Sequence, residues 1–340
     1  MAWVALVAVG LCAGACTGTP AGPGAVGRTA AGSPAPPAQG SPGAPAPGSS
    51  VTSAATAPPA PGTVVAAGLP RPVGHWANLP FAWPSSCPAG RATCPLEMDV
   101  YAPLGGGPWP LVVVLPGGPA DPTQYGYLQA LAVPLAARGA VVVTAGWQMR
   151  AEDGAGFPQS FEDVACAVGV ARGIAATYGA SPDRVTLVGH SLGAWAAEVV
   201  ALSRAPFTPD DLACPAARGS LRPDALVAID GAPWEAMGTY VGPGYIPSLV
   251  GSDRASDPAI LAALDPHALL AAPGAPHLPV LLVHGTADTT IPEAYSQQLQ
   301  AALVANGYTS ALVLVPGATH SSVLGNGATI DAIARLAGIG

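Results

Sequence analysis

The chain contains no lysine. Its 12 basic residues are all arginine, scattered singly, and nowhere do they gather into the basic patch that a nucleic-acid phosphate backbone requires. Charge of either sign is scarce, at 9% of 340 residues, and the formal net charge is −8. Nucleic acid is therefore excluded as a partner. No Cys/His spacing resembles a zinc site, and no glycine-rich phosphate cradle is present, so neither a metal nor a nucleotide or flavin cofactor is expected.

Long apolar runs are also missing. The most apolar stretch, residues 1–15 (MAWVALVAVGLCAGA), is too short to span a bilayer permanently. It ends in Ala13-Gly14-Ala15, the small-residue pattern of a secretory cleavage site, and Cys16 follows as in a lipoprotein box. Residues 1–15 thus read as a signal peptide and Cys16 as a candidate for lipidation. The chain is expected to be exported, either attached to the membrane through Cys16 or secreted.

Residues 16–72 are almost entirely Ala, Pro, Gly, Ser and Thr. Such a composition cannot bury enough apolar surface to offset the entropy of ordering, and it reads as a disordered tether. One catalytic-size domain remains, residues 73–340. Export also frames the cysteines. Apart from Cys12 and Cys16, four remain, and an oxidising compartment favours disulfides over metal ligation. Four cysteines allow three pairings; Cys87 and Cys94 are close enough for a local loop, which leaves Cys166 with Cys214.

What the domain does contain is alternation. Short apolar runs at 111–116, 140–147, 185–190, 226–230, 279–285 and 311–317 read as buried strands. LEMDVYAP at 96–103 alternates and reads as a strand nearer the edge. Between them, Phe161, Val164, Ala165, Val168, Ala171, Ala175 and Tyr178 recur at steps of three and four, the buried face of a helix. Residues 192–203, 292–306 and 327–339 read as further helices. The expected fold is α/β: a mostly parallel central sheet of about eight strands with helices on both faces. The segment 231–257, rich in Gly, Pro and aromatics, reads as a cap or pocket wall.

The chemistry concentrates at Gly189-His190-Ser191-Leu192-Gly193, a G-x-S-x-G motif between the strand VTLVGH and a helix. Such a tight turn strains the nucleophile's backbone and crowds its flanks, which glycines at 189 and 193 relieve. It exposes the Ser191 hydroxyl and leaves the Leu192 amide free at a helix start to stabilise an oxyanion. A serine hydroxyl needs a base. His320, just past the strand ALVLVPG, is the only histidine after His284, and Asp288 follows the strand PVLLVHG. The order Ser, Asp, His is the order this kind of turn requires.

Asp230, at the end of another strand, is the alternative acid. His284 is assigned to structure, His190 to the surroundings of the nucleophile, and His75, His267 and His277 to surface or core. The second oxyanion donor is expected from Pro116-Gly117-Gly118-Pro119, with Gly118 first and Gly117 second; Pro119 has no amide hydrogen.

These blocks carry a resemblance. YGASPDRVTLVGHSLGAWAAE (178–198), HGTADTTIP and PGATH are similar to the nucleophile, acid and base segments of α/β-hydrolase carboxylesterases, especially the group related to bacterial feruloyl esterases, over roughly residues 95–335. The resemblance implies cofactor-free hydrolysis of carboxylic esters through an acyl-enzyme, with a small-molecule or lipid ester as substrate. One departure stands out: these enzymes often carry His-Gly-Gly-Gly where this chain has Pro116-Gly117-Gly118-Pro119. A cell-envelope acyltransferase using the same triad and an inactive, ligand-binding hydrolase scaffold remain alternatives.

Overall fold

The computed structural model describes residues 59–340 except 66, 85–86, 88–92, 119–125, 150–155, 211–212, 232–243 and 253. The segment read as a signal peptide, Cys16, most of the segment read as a tether and Pro119 lie outside the described residues. Nine strands form one sheet: β1 (Thr63–Val65), β2 (Val73–Ala82), β3 (Leu96–Pro103), β4 (Trp109–Leu115), β5 (Val141–Ala145), β6 (Ala180–His190), β7 (Ala225–Ile229), β8 (Val280–Gly285) and β9 (Ser310–Val315). Their order is β1-β2-β3-β5-β4-β6-β7-β8-β9. From β5 to β9 every pairing is parallel, whereas β1, β2 and β3 add on antiparallel.

Among the described residues the sheet has nine strands, in line with the expected sheet of about eight, and its first strand, Thr63–Val65, falls within the stretch read as tether. The strand 96–103, expected nearer the edge, lies inside the sheet, between β2 and β5. Its polar alternation is not a sign of solvent: the carboxylate of Asp99 accepts from His75 Nε2 (2.7 Å), the Asn78 amide (2.9 Å) and the Tyr101 hydroxyl (3.3 Å). A buried polar group in a strand must find such partners, and β2 supplies two of them.

The central strands β4 to β8 are largely buried because both faces are covered, whereas β9, at the sheet edge, is buried only at Val315, which corrects the expectation of a buried strand at 311–317. Along β4, Leu111, Val113 and Leu115 enter one apolar cluster and Val112 and Val114 the other, the period-two division of a strand. The first cluster is closed by α2 (Gln159–Ile174) and α3 (Leu192–Leu202), the second by α1 (Gln129–Gly139) and α8 (Gly327–Ala337). All seven residues of the 161–178 periodicity are buried, the last two in a 3-10 turn at Ala175–Tyr178. Between β7 and β8 the chain makes α4 (Tyr245–Val250), α5 (Pro258–Leu264) and α6 (Pro266–Ala271), and α7 (Ala294–Ala305) follows β8. Half of the expected cap, 232–243, lies outside the described residues.

Disulfides join Cys87 to Cys94 and Cys166 to Cys214, with Cα separations of 5.5 and 5.8 Å. No helix among the described residues is long and apolar enough to cross a membrane.

Candidate active site

The chain leaves β4 toward β5 on one side and returns through β6 on the other. That reversal opens a crevice at the carboxyl ends of β4 and β6, where open α/β sheets bind ligands. The turn after β6 carries Ser191 and the loop after β4 carries Gly117 and Gly118.

Ser191 has φ 57°, in the left-handed region that non-glycine residues rarely occupy. Its amide donates to the Ile229 carbonyl at 2.8 Å, which pins the strained residue to β7. The flanking glycines are required by space: a Cβ on Gly189 would run into the Gly193 carbonyl, and one on Gly193 into the carbonyls of Pro116 and Leu115. Leu192 is the first residue of α3, where a helix leaves the amide without an internal acceptor.

The loops that carry Asp288 and His320 are joined by hydrogen bonds. Ala287 donates to the Ala318 carbonyl (2.9 Å), and the Gly317 amide to Thr286 Oγ1 (2.9 Å). This brings His320 Nδ1 to 2.7 Å from Asp288 Oδ2. The Asp288 side chain is fully buried and that of His320 is 18% exposed. Burial pushes the Asp288 carboxyl up. The His320 hydrogen bond and the Ile291 and Thr290 amides outweigh it, so the carboxyl sits below its ordinary value and is ionised. With Nδ1–H donated to Asp288, the His320 Nε2 lone pair is left to accept a proton.

His190 is built into the same site. It is 5% exposed, and its ring centroid lies 4.7 Å from that of His320. Nε2–H donates to the His320 carbonyl at 2.8 Å. Burial, followed by the neighbouring His320, lowers its pKa to about 3. His190 is therefore neutral, and its Nδ1 accepts from the Tyr127 hydroxyl at 3.3 Å. Tyr127 in turn accepts from the Gly117 amide at 2.7 Å. Enclosure of its hydroxyl pushes the phenol up to about 12, so it remains an O–H donor. A continuous chain of hydrogen bonds thus joins the β4 loop, the residue before Ser191 and the loop of His320.

In this chain of hydrogen bonds the Gly117 amide has its acceptor in Tyr127. Gly117 has another duty, since a Cβ there would strike the His190 carbonyl and Ser191 Cβ and come within 3.1 Å of the Leu192 nitrogen. Gly118 has φ 83°, a conformation that glycine adopts without strain. Trp147 at the end of the β5 segment, fully buried, holds the loop by donating from Nε1 to the Pro116 carbonyl at 3.1 Å. Neither Tyr127 nor Trp147 is marked by a motif.

Asp230 is buried beside the pair, its Oδ2 3.7 Å from His320 Nδ1, a full ångström farther than Asp288. His284 is structural: Nε2–H donates to the Ile291 carbonyl (2.9 Å) and Nδ1 meets Ser296 Oγ (2.7 Å). His75 stacks on Tyr101 and His277 on Tyr308. Two sets, His190–Asp230–His320 and Asp230–His284–Asp288, have side-chain ligand atoms within 4.8 Å of one another. Their spacing would suit a metal ion, but the His284 nitrogens, His190 Nε2 and His320 Nδ1 are engaged in the hydrogen bonds above.

The architecture, with its strand–turn–helix elbow, is the α/β-hydrolase fold. The BD-FAE family model matches residues 98–303, more than half of the chain, and the protein belongs to that family of α/β-hydrolase carboxylic ester hydrolases. A comparison with curated proteins finds no match. Among solved structures, the chain is similar to a truncated carbohydrate esterase from gut microbiota, 19% identical over 78% of this chain and 95% of that one, with a TM-score of 0.56. It is similar to esterase B from Lactobacillus rhamnosis, 17% identical over 78% and 86%, with a TM-score of 0.59. A third is an acetyl ester-xyloside bifunctional hydrolase from Caldicellulosiruptor lactoaceticus, 20% identical over 80% and 95%, with a TM-score of 0.56.

Proposed function

We propose that the protein hydrolyses carboxylic esters through an acyl-enzyme on Ser191, with His320 as base and Asp288 as the acid that orients it. The observation that carries this reading is the 2.7 Å Asp288–His320 pair, whose loop is bonded through His190 to the residue next to a serine held at φ 57°. In this reading His320 takes the Ser191 proton as the hydroxyl attacks the ester carbonyl. The Leu192 and Gly118 amides hold the oxyanion, His320 protonates the leaving alcohol, and water reverses the sequence to release the acid. Asp288 keeps the proton of His320 on Nδ1 and stabilises the imidazolium.

The names of the similar structures make acetylated sugars the first substrates to try, beside lipid esters. The two disulfides support export, because such bonds persist in oxidising compartments; attachment through a lipid on Cys16 belongs to the same proposal. The test is turnover of p-nitrophenyl esters from acetate to long acyl chains by the full chain and by Ser191→Ala. Turnover is expected to fall by several orders of magnitude in the variant, and a fluorophosphonate probe should label Ser191 of the parent. A parent that turns over no ester and takes no probe overturns the reading.

A further inference from the structure

Behind His320 stand two buried carboxyl groups. Asp288 is fully served: Oδ2 takes the His320 Nδ1 proton (2.7 Å), and Oδ1 takes the amides of Thr290 (2.7 Å) and Ile291 (3.0 Å). Asp230 is not. It sits at the end of β7 with no exposed surface and φ 48°. Its amide donates to the Val283 carbonyl and its Oδ1 accepts the Gly285 amide, both at 2.9 Å. Among the described residues Oδ2 has no hydrogen-bond partner.

The surrounding protons are already committed. His320 Nδ1 lies 3.7 Å from Asp230 Oδ2 but gives its hydrogen to Asp288. His284 Nε2 is 3.7 Å from Asp230 Oδ1 and 3.6 Å from Asp288 Oδ2, and its hydrogen goes to the Ile291 carbonyl. His190, the remaining titratable neighbour, donates to the His320 carbonyl. Carboxylate oxygens of Asp230 and Asp288 lie within 4.8 Å of each other. Two ionised carboxylates that close in a buried site repel strongly, and one of a pair keeps its proton. A proton on Oδ2 removes the repulsion and gives the orphaned oxygen an acceptor in Asp288.

We propose that Asp230 is a positioning residue held as a neutral carboxylic acid, which donates its Oδ2 hydrogen to the Asp288 carboxylate, so that His320 is oriented by an acid–carboxylate pair of total charge −1. The proposal rests on the triad reading above and deepens it. Asp230 does not touch the reacting atoms; it fixes the rotamer of Asp288 and limits the negative charge beside the imidazole. Burial, opposed by the Gly285 hydrogen bond and reinforced by Asp288, supports this by raising the Asp230 carboxyl to about 8.

The test uses the full chain. The ¹³C carboxyl resonance of Asp230, assigned through its own Cβ, is followed with pH; the protonated shift is expected at pH 6, with ionisation near pH 8. A carboxylate shift at pH 6 overturns the proposal, and this readout needs no turnover, so it stands apart from any failure of the esterase reading. In parallel, Asp230→Asn retains an acceptor for Gly285 and a donor for Asp288, whereas Asp230→Ala retains neither. The expected result is a kcat about threefold below the parent for Asn and on the order of thirtyfold below for Ala, with KM little changed in both. The alkaline change in kcat near pH 8 should vanish in Asp230→Asn. An Asn variant as slow as the Ala variant, both folded, overturns the proposal, because Asp230 would then be needed as an ion.

Discussion

His190 Nε2 donates to the main-chain carbonyl of His320 at 2.8 Å, so the residue before Ser191 holds the loop of His320. The two residues are 130 positions apart and their rings nearly touch, with centroids 4.7 Å apart. Any drift of the base loop relative to the elbow must break this bond.

Replacing His190 by Phe keeps a ring in the buried space and removes both hydrogen bonds. A misplacement of about 1 Å near the reacting atoms can cost on the order of a hundredfold in rate. The variant is therefore expected to lose about ten- to hundredfold in kcat with KM little changed, and to label with fluorophosphonate correspondingly slowly. Steady-state kinetics on one ester checks it, and a kcat within twofold of the parent would show that the carbonyl link carries no mechanism.

Tyr127→Phe separates two duties of the β4 loop. If the Gly117 amide were an oxyanion donor restrained by Tyr127, freeing it would raise kcat. In the hydrogen-bond chain found here, the hydroxyl braces the loop instead. Its loss leaves Gly117 N–H and His190 Nδ1 without their partner. The variant is expected to drop several-fold in kcat and to lose about 1 kcal/mol of stability, the modest size reflecting a residue that is 41% exposed and open to water. A measured rise in kcat would restore Gly117 as a donor.

The elbow, His320 and Asp288 are legible in the sequence because their chemistry is local: a strand, a tight glycine-flanked turn, and two residues that follow strand ends in fixed order. β2 is not, and the reason is physical. Its ladder with β3 is interrupted between Trp76 and Leu79 and again between Pro80 and Ala82, and Asn78 takes φ 54°, so no period of two survives in VGHWANLPFA. The interior place of β3 was hidden by Asp99, a polar residue two of whose three partners come from another strand. Asp230 was visible as a candidate acid, but its relation to Asp288 depends on β7 and β8 being neighbours. Tyr127 had no signal at all, because its role is set by the Gly117 amide, ten residues away across a loop.

The two disulfides should differ in worth. In the chain-entropy picture, stabilisation grows with the loop closed. The Cys166–Cys214 bridge spans 48 residues and Cys87–Cys94 spans 7, which corresponds to about 4 and about 2.5 kcal/mol respectively. Cys166 and Cys214 are also buried and fasten α2 to the segment after α3. Denaturant unfolding of the two Cys→Ser double variants is expected to show the larger loss for the 166–214 pair. The reverse order would place the stabilisation in the native state near Cys87 instead of in loop closure.

Glu198, two turns into α3, supplies the clearest pH dependence of stability. It is 2% exposed. It borders a cavity of about 10 Å³, room for a single water, beside Gly231, His267 and Ser296. Burial alone raises its carboxyl from 4.5 to about 8, so the fold holds it neutral while the unfolded chain ionises near 4.5. The stability associated with the neutral form is complete below pH 4.5 and is lost as pH rises through 8. Across that window the cost grows with a limiting slope of ~1.4 kcal/mol per pH unit. Glu198→Gln keeps the shape and cannot ionise. Its unfolding free energy, relative to the parent, is expected to change little near pH 4 and to increase steadily toward pH 8, so that the variant is the more stable protein in mild alkali. Denaturant midpoints of parent and variant at pH 4, 6 and 8 decide it: parallel pH profiles would mean that Glu198 ionises in the fold as readily as in the unfolded chain, with water entering the cavity to solvate it.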